Sequence, residues 1–157
     1  MKTFSIALVM GVFGALAVFI SFYFHWPTWV MFIAWISYYL FGQSVKTSAQ
    51  SFLQIACGIF MGIIMQGAAT WSSGIIGPLG FPLAVFILIG SLAYISKIRQ
   101  LNNIPAWFLG LIVFFGVHPA LEPMPVLNIF IPLFFGFLFA FSNDNLVKRV
   151  SKVAFNS

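Results

Sequence analysis

Asn102-Asn103-Ile104-Pro105-Ala106-Trp107-Phe108-Leu109-Gly110 opens a hydrophobic run that ends at Val117, before His118-Pro119. A run of about 14 residues makes roughly 21 Å of helix. That is short of the roughly 30 Å hydrocarbon core of a bilayer. An earlier run, His25-Trp26-Pro27-Thr28-Trp29 to Phe41-Gly42, opens in a similar way and is nearly as short. Two short, proline-led, Trp-bearing segments at matching places in two halves of a membrane chain point to a solute pathway.

The rest of the chain has membrane composition. Its 157 residues are 62% hydrophobic and 6% charged, where a soluble domain carries about a quarter charged residues. Repeated long apolar runs predict an all-α membrane protein whose partner is the lipid bilayer. The alternating ten-residue segments of a membrane barrel do not occur. A formal charge of +5, with its basic residues spread over loops, calls for no nucleic-acid partner. The single cysteine, Cys57, excludes an intramolecular disulfide and a cysteine metal cluster. Lys2 followed by an apolar run with Ala15-Leu16-Ala17 has the outline of a signal peptide. The run continues to Phe24 without a polar region, so a retained first helix is expected.

Six transmembrane helices follow from the runs and their breaks: about 4–24, 27–41, 48–65, 81–96, 104–117 and 126–142. Between the third and fourth lies a glycine- and serine-rich stretch, Gln66 to Gly80, read as the longest loop. From Asn143 the chain is polar and basic and reads as a tail. With six helices, Lys2, Lys46, Lys97, Arg99, Lys148, Arg149 and Lys152 all fall on one side. The excess of Lys and Arg on cytoplasmic loops then places both termini in the cytoplasm.

Six helices divide into two sets of three, and an odd number per set gives inverted topology. Sliding the chain by about 78 residues places Pro27 on Pro105, Trp29 on Trp107, Gly58 on Gly136 and Gly62 on Ala140. A single transmembrane domain of two inverted three-helix repeats is expected, the first over about 1–72 and the second over about 77–157.

The patterns Trp29-x-x-Phe32-x5-Tyr38 and Pro105-x-x-Phe108-x-Gly110-x4-Phe115 resemble an uncharacterised family of the bacterial inner membrane, domain of unknown function 1097. The likeness spans nearly the whole chain. It implies a six-helix protein of the bacterial inner membrane and carries no functional residue with it. Where that family has a small residue after the helix 5 proline, this chain has Ala106. Its preference for small residues in helix 2 is poorly met beside Trp35.

The helices so drawn hold no Asp, Glu, Lys, Arg or His in their interiors. Such residues mark proton relays and charged substrates, so a proton-driven pump is disfavoured. An enzyme is disfavoured too, for want of a base or metal ligands, and no cofactor or metal is expected. The pathway reading assigns Trp29, Phe32, Tyr38, Gln54, Trp107, Phe108, Gly110, Phe115 and Asn128 to a pore lining. On that reading Trp107→Ala changes permeability without unfolding the protein. The plainer reading of the two tryptophans is the aromatic belt at the interfaces. For Gln54 and Asn128 it is interhelical hydrogen bonding. His25, His118 and Glu122 fall on the outer side, as a vestibule or as ordinary interfacial loop residues. Gly58, Gly62, Gly136 and Ala140 form small-xxx-small packing faces, within the subunit or in a homo-oligomer. The function expected is a passive channel for small neutral or weakly polar solutes. Its alternative is a structural or regulatory membrane subunit. Sodium-coupled transport through backbone carbonyls stays open beside both.

Overall fold

A computed structural model describes residues 2–153. Those residues contain helices and no strand. The α-helices are α1 (Lys2–Tyr23), α2 (Thr28–Phe41), α3 (Val45–Ile76), α4 (Gly80–Ile95), α5 (Ile104–Val117) and α6 (Pro123–Val153). A 3₁₀ turn, Gly77–Leu79, stands between α3 and α4. Among the described residues, three stretches are long and apolar enough to cross a membrane: Thr3–Tyr23, Val45–Ile95 and Pro123–Lys152. The middle one holds both α3 and α4. Thr28–Phe41 and Ile104–Val117 are apolar but shorter. Phe4, Phe22, Trp71, Phe86 and Tyr94 stand exposed around the helices, as lipid-facing side chains do.

The short helices match their sequence bounds because both ends carry strong signals. Pro27 precedes the first turn of α2, and Pro105 sits inside the first turn of α5. Gly42, at φ 125°, ends α2 with its N–H on the Tyr38 carbonyl. His118, at φ 52°, ends α5 with its N–H on the Phe114 carbonyl.

Two stretches depart from the sequence reading. The residues read as a long loop are the last turns of α3, which continues to Ile76. Thr70 Oγ1 donates to the Gln66 carbonyl and Ser72 Oγ to the Ala68 carbonyl, so the hydroxyls are spent within the helix. Backbone groups in an apolar setting must be bonded, which favours helix over an open loop. The helix stops where Gly77 turns to φ 62°. The supposed tail likewise belongs to α6, which runs on through Asn143 and Asp144 to Val153. An i, i+4 pair, Asp144 with Lys148, supports that extension. Ala154 to Ser157 lie outside the described residues.

The chain forms two compact units. One takes Met1–Ala49 with Leu127–Ser157, and so holds α1, α2 and nearly all of α6. The other is Gln50–Val126, with nearly all of α3 and all of α4 and α5. In the second unit α3 and α5 meet backbone to backbone. A Cβ built on Gly58 would fall on the Trp107 carbonyl oxygen and 2.9 Å from Gly110 Cα. A Cβ on Gly62 would strike the buried Phe114 ring, 2.7 Å from Cγ. In the first unit α6 meets α2 in a like manner. A Cβ on Gly136 would fall on the Met31 carbonyl oxygen and 2.6 Å from the Ala34 methyl. In lipid, where apolar helices gain little from burial, contact this close supplies dispersion energy.

Candidate functional site

Each unit carries a polar cluster at one end of its short helix. In the first unit α2 ends in Tyr38-Tyr39, and α6 brings Asn143-Asp144 against it. The Tyr38 hydroxyl donates to Asp144 Oδ2 at 2.7 Å. Lys148 Nζ donates to the same oxygen at 2.5 Å. Asn143 Nδ2 donates to the Tyr39 hydroxyl at 2.8 Å, and Asn143 Oδ1 is buried without a partner. Asp144 and Asn143 are 6% and 1% exposed. The Tyr38 ring stands edge-on to Tyr39 and to Phe141, with centroids 5.3 and 6.4 Å away.

Asp144 corrects the expectation that no ionisable group lies inside a helix. It was missed because the sixth helix was ended at Ser142. The signal that would have found it is the Asp144, Lys148 spacing, which continues a helix instead of starting a tail.

In the second unit Gln54 of α3 reaches the α4–α5 link. Its Nε2 donates to the Gln100 carbonyl at 2.6 Å, and its Oε1 is buried without a partner. Gln50 Nε2 donates to the Arg99 carbonyl at 3.4 Å. The Trp107 indole N–H donates to the Leu101 carbonyl at 3.1 Å. Three side chains therefore staple the link that carries Lys97 and Arg99. Elsewhere in this unit an open cleft of about 510 Å³ is lined by Gln66, Ala69, Thr70, Ser73, Phe81, Phe115 and His118.

The pore-lining candidates differ in their settings within their own units. Tyr38, Gln54 and Trp107 are buried in the packed interiors of their units. Trp29, Phe32 and Phe108 face outward, at 37%, 43% and 39% exposure. Gly110 packs on the Ile55 carbonyl and on Gly58, so it serves helix contact within the unit. Phe115 lines the cleft and stands edge-on to Phe81. Asn128 is exposed. It lies off the buried stripe of α6, which runs through Ile129, Leu133, Gly136, Phe137 and Ala140. Of the vestibule candidates, His118 borders the cleft, while His25 and Glu122 are exposed. Gly58, Gly62, Gly136 and Ala140 are buried at helix contacts or in the interior. Trp107 is 6% exposed, so its loss opens a cavity and costs about 3–5 kcal/mol. Trp107→Ala is therefore a stability variant before it is a permeability variant.

Among the described residues no group of three or more His, Cys, Asp or Glu could hold a metal ion. No curated protein and no solved structure matches the chain. A family model matches residues 7–148, nearly the whole length. The chain therefore belongs to the family described as protein of unknown function DUF1097.

Proposed function

We propose that this is a six-span membrane protein of two inverted three-helix repeats that passes small neutral or weakly polar solutes down their gradient. The observation that carries the reading is the shared build of the two units. Gly58 sits on Trp107 and Gly110 in one, and Gly136 sits on Met31 and Ala34 in the other. The packing suggests a refinement of the repeat. Helices α3 and α6 keep the slide of about 78 residues, but α2 and α5 correspond at about 76. Met31 then answers to Trp107, Ala34 to Gly110 and the α2 cap Gly42 to the α5 cap His118. Trp29 drops out of the pairing. Two short helices, each held by a close glycine contact, are the kind of element that borders a solute path in inverted repeats.

The orientation belongs to the same reading. Both termini lie in the cytoplasm and the protein sits in the bacterial inner membrane as a homo-oligomer, without catalysis or cofactor. Impermeant labelling of single cysteines in intact cells, with Cys57 replaced, tests the topology. Ser73→Cys should label and Ser44→Cys should not. The reverse pattern ends the six-span account.

Flux tests the function. Purified protein in liposomes is compared with protein-free liposomes for water, urea, glycerol, and short amides and aldehydes. Excess passive flux of at least one neutral solute is expected, unaffected by membrane potential. No excess for any of them rejects the facilitator. One observation favours the alternative, a structural or regulatory subunit. Gly11 and Gly14 on α1 have nothing within 4 Å of a built Cβ. That small-residue face suits a helix supplied by another molecule.

A further inference from the structure

We infer that the α4–α5 link is a docking site for anionic phospholipid, with Lys97 and Arg99 on the headgroup phosphate and Tyr94 and Ile98 against the top of the acyl chains. The inference goes beyond the facilitator reading, and lipid binding tests it independently of flux.

The link carries charge that its own unit does not balance. The chain has seven Lys and Arg side chains against two carboxylates, Glu122 and Asp144. Asp144 pairs with Lys148. Glu122 follows the far end of α5, a helix of 14 residues and roughly 21 Å. The link precedes the near end, so Lys97 and Arg99 have no acid of their unit beside them. Both side chains are exposed. Lys97 Nζ stands 5.6 Å over the Tyr94 ring, a neutral partner that leaves the positive charge uncancelled.

Backbone oxygens, which would repel an anion, are spent on the protein. Gln54 and Trp107, both buried, donate to the carbonyls of Gln100 and Leu101, and Gln50 donates to that of Arg99. The link is thereby held in one course with its cationic side chains outward. An anion that docks there does not have to order the loop first.

The exposed apolar side chains select which anion. Tyr94 is 75% exposed and Ile98 50% exposed, next to the two cations along the chain. A soluble phosphate leaves both in water. A phospholipid covers them with its glycerol and first methylenes while its phosphate meets the charge. The apolar stretch that holds α4 ends at Ile95, so the link begins where the span ends, at headgroup depth.

The full chain in dodecyl maltoside micelles is titrated with dioctanoylphosphatidylglycerol, and in parallel with dioctanoylphosphatidylcholine and with inorganic phosphate. Native mass spectrometry counts bound lipid, and the thermal midpoint reads binding again. Phosphatidylglycerol should bind saturably and raise the midpoint, and the other two should not. Lys97→Gln with Arg99→Gln should raise the half-saturating concentration roughly thirtyfold, about fivefold for each charge removed. Lys46→Gln with Arg149→Gln removes equal charge from the other unit and should leave it within about threefold. Tyr94→Ser with Ile98→Ser should weaken lipid binding although both charges remain. The proposal is overturned if phosphatidylcholine or phosphate binds as well as phosphatidylglycerol, or if the Lys97, Arg99 variant binds unchanged. It is overturned equally if the Lys46, Arg149 control loses as much, or if the Tyr94, Ile98 variant loses nothing. Should the Lys97, Arg99 pair fail to fold, Arg99→Gln alone decides, at about fivefold.

Discussion

Gly58 and Gly110 occupy one contact, and neither has room for a side chain. A Cβ on Gly58 would lie 2.9 Å from Gly110 Cα, and one on Gly110 would lie 2.7 Å from Gly58 Cα. The obstacle on both sides is backbone, which a rotamer change cannot move aside. Gly58→Ala should therefore cost about 1–3 kcal/mol through overpacking. Gly58→Leu should prevent folding of the unit. Gly11→Ala is the control, since open space surrounds that position. It should be neutral or stabilise by about 0.5–1 kcal/mol. Thermal unfolding in detergent micelles compares them, and equal losses for Gly58→Ala and Gly11→Ala would refute the contact.

Tyr38→Phe keeps the ring and removes only the hydroxyl that Asp144 accepts. A hydrogen bond to a charged, buried acceptor contributes about 1.5–3 kcal/mol. The variant should lose that much stability. The neighbouring Tyr39→Phe, which removes the acceptor for Asn143 Nδ2, should lose about 1 kcal/mol. The same unfolding series ranks the two, and the reverse order would contradict the placement of Asp144.

Trypsin should report the staples on the α4–α5 link. Lys97 and Arg99 are exposed cleavage sites, while Gln54 and Trp107 tie the neighbouring carbonyls of Gln100 and Leu101 down. Gln54→Leu combined with Trp107→Phe removes both donors and keeps an apolar side chain at each position. Nicking at 97–99 in micelles should speed up several-fold as local opening becomes easier. An unchanged rate would mean that the two donors do not hold the link.

His118 caps α5 in the left-handed region, where a non-glycine residue pays roughly 1 kcal/mol. His118→Gly should keep the N–H bond to the Phe114 carbonyl and raise stability by about 1 kcal/mol. A loss of stability on this change would assign the imidazole a packing role in the cleft.

The short helices were legible because their signals are local. Proline near the start and a positive-φ residue at the end fix α5 at Ile104–Val117, the bounds its hydrophobic run predicts. The ends of α3 and α6 were not legible by the same means. Glycine and serine around Trp71 carry turn propensity, and Asn143-Asp144-Asn145 looks like a helix terminus. In α3, propensity measured against water loses to the need to bond every backbone group in an apolar setting, and in α6 the Asp144–Lys148 pair supports helix beyond Ser142. The packing of the site candidates was hard to read for a related reason. Hydropathy ranks residues by polarity and does not tell which side of a helix meets its neighbour. Asn128, read as a polar lining group, lies off the buried stripe, while Asn143 and Asp144, on that stripe, were read as tail. Gly110 was assigned to the pore lining, and in the structure it packs backbone to backbone on Gly58.

The unequal threading of the two units has a consequence for how the chain is made. A ribosome delivers residues in order, at about 5–20 per second. The contiguous unit, Gln50–Val126, has all its partners once its own segment has emerged. The other does not. Helices α1 and α2 emerge before it, yet Met31 and Ala34 wait for Gly136, and Tyr38 waits for Asp144. Throughout that interval the nascent first pair has no third helix, and the insertion machinery or surrounding lipid must shelter the face that α6 will cover. Helix α6, which follows the contiguous unit along the chain, therefore completes the unit that α1 and α2 began, so quality control of that unit turns on α6.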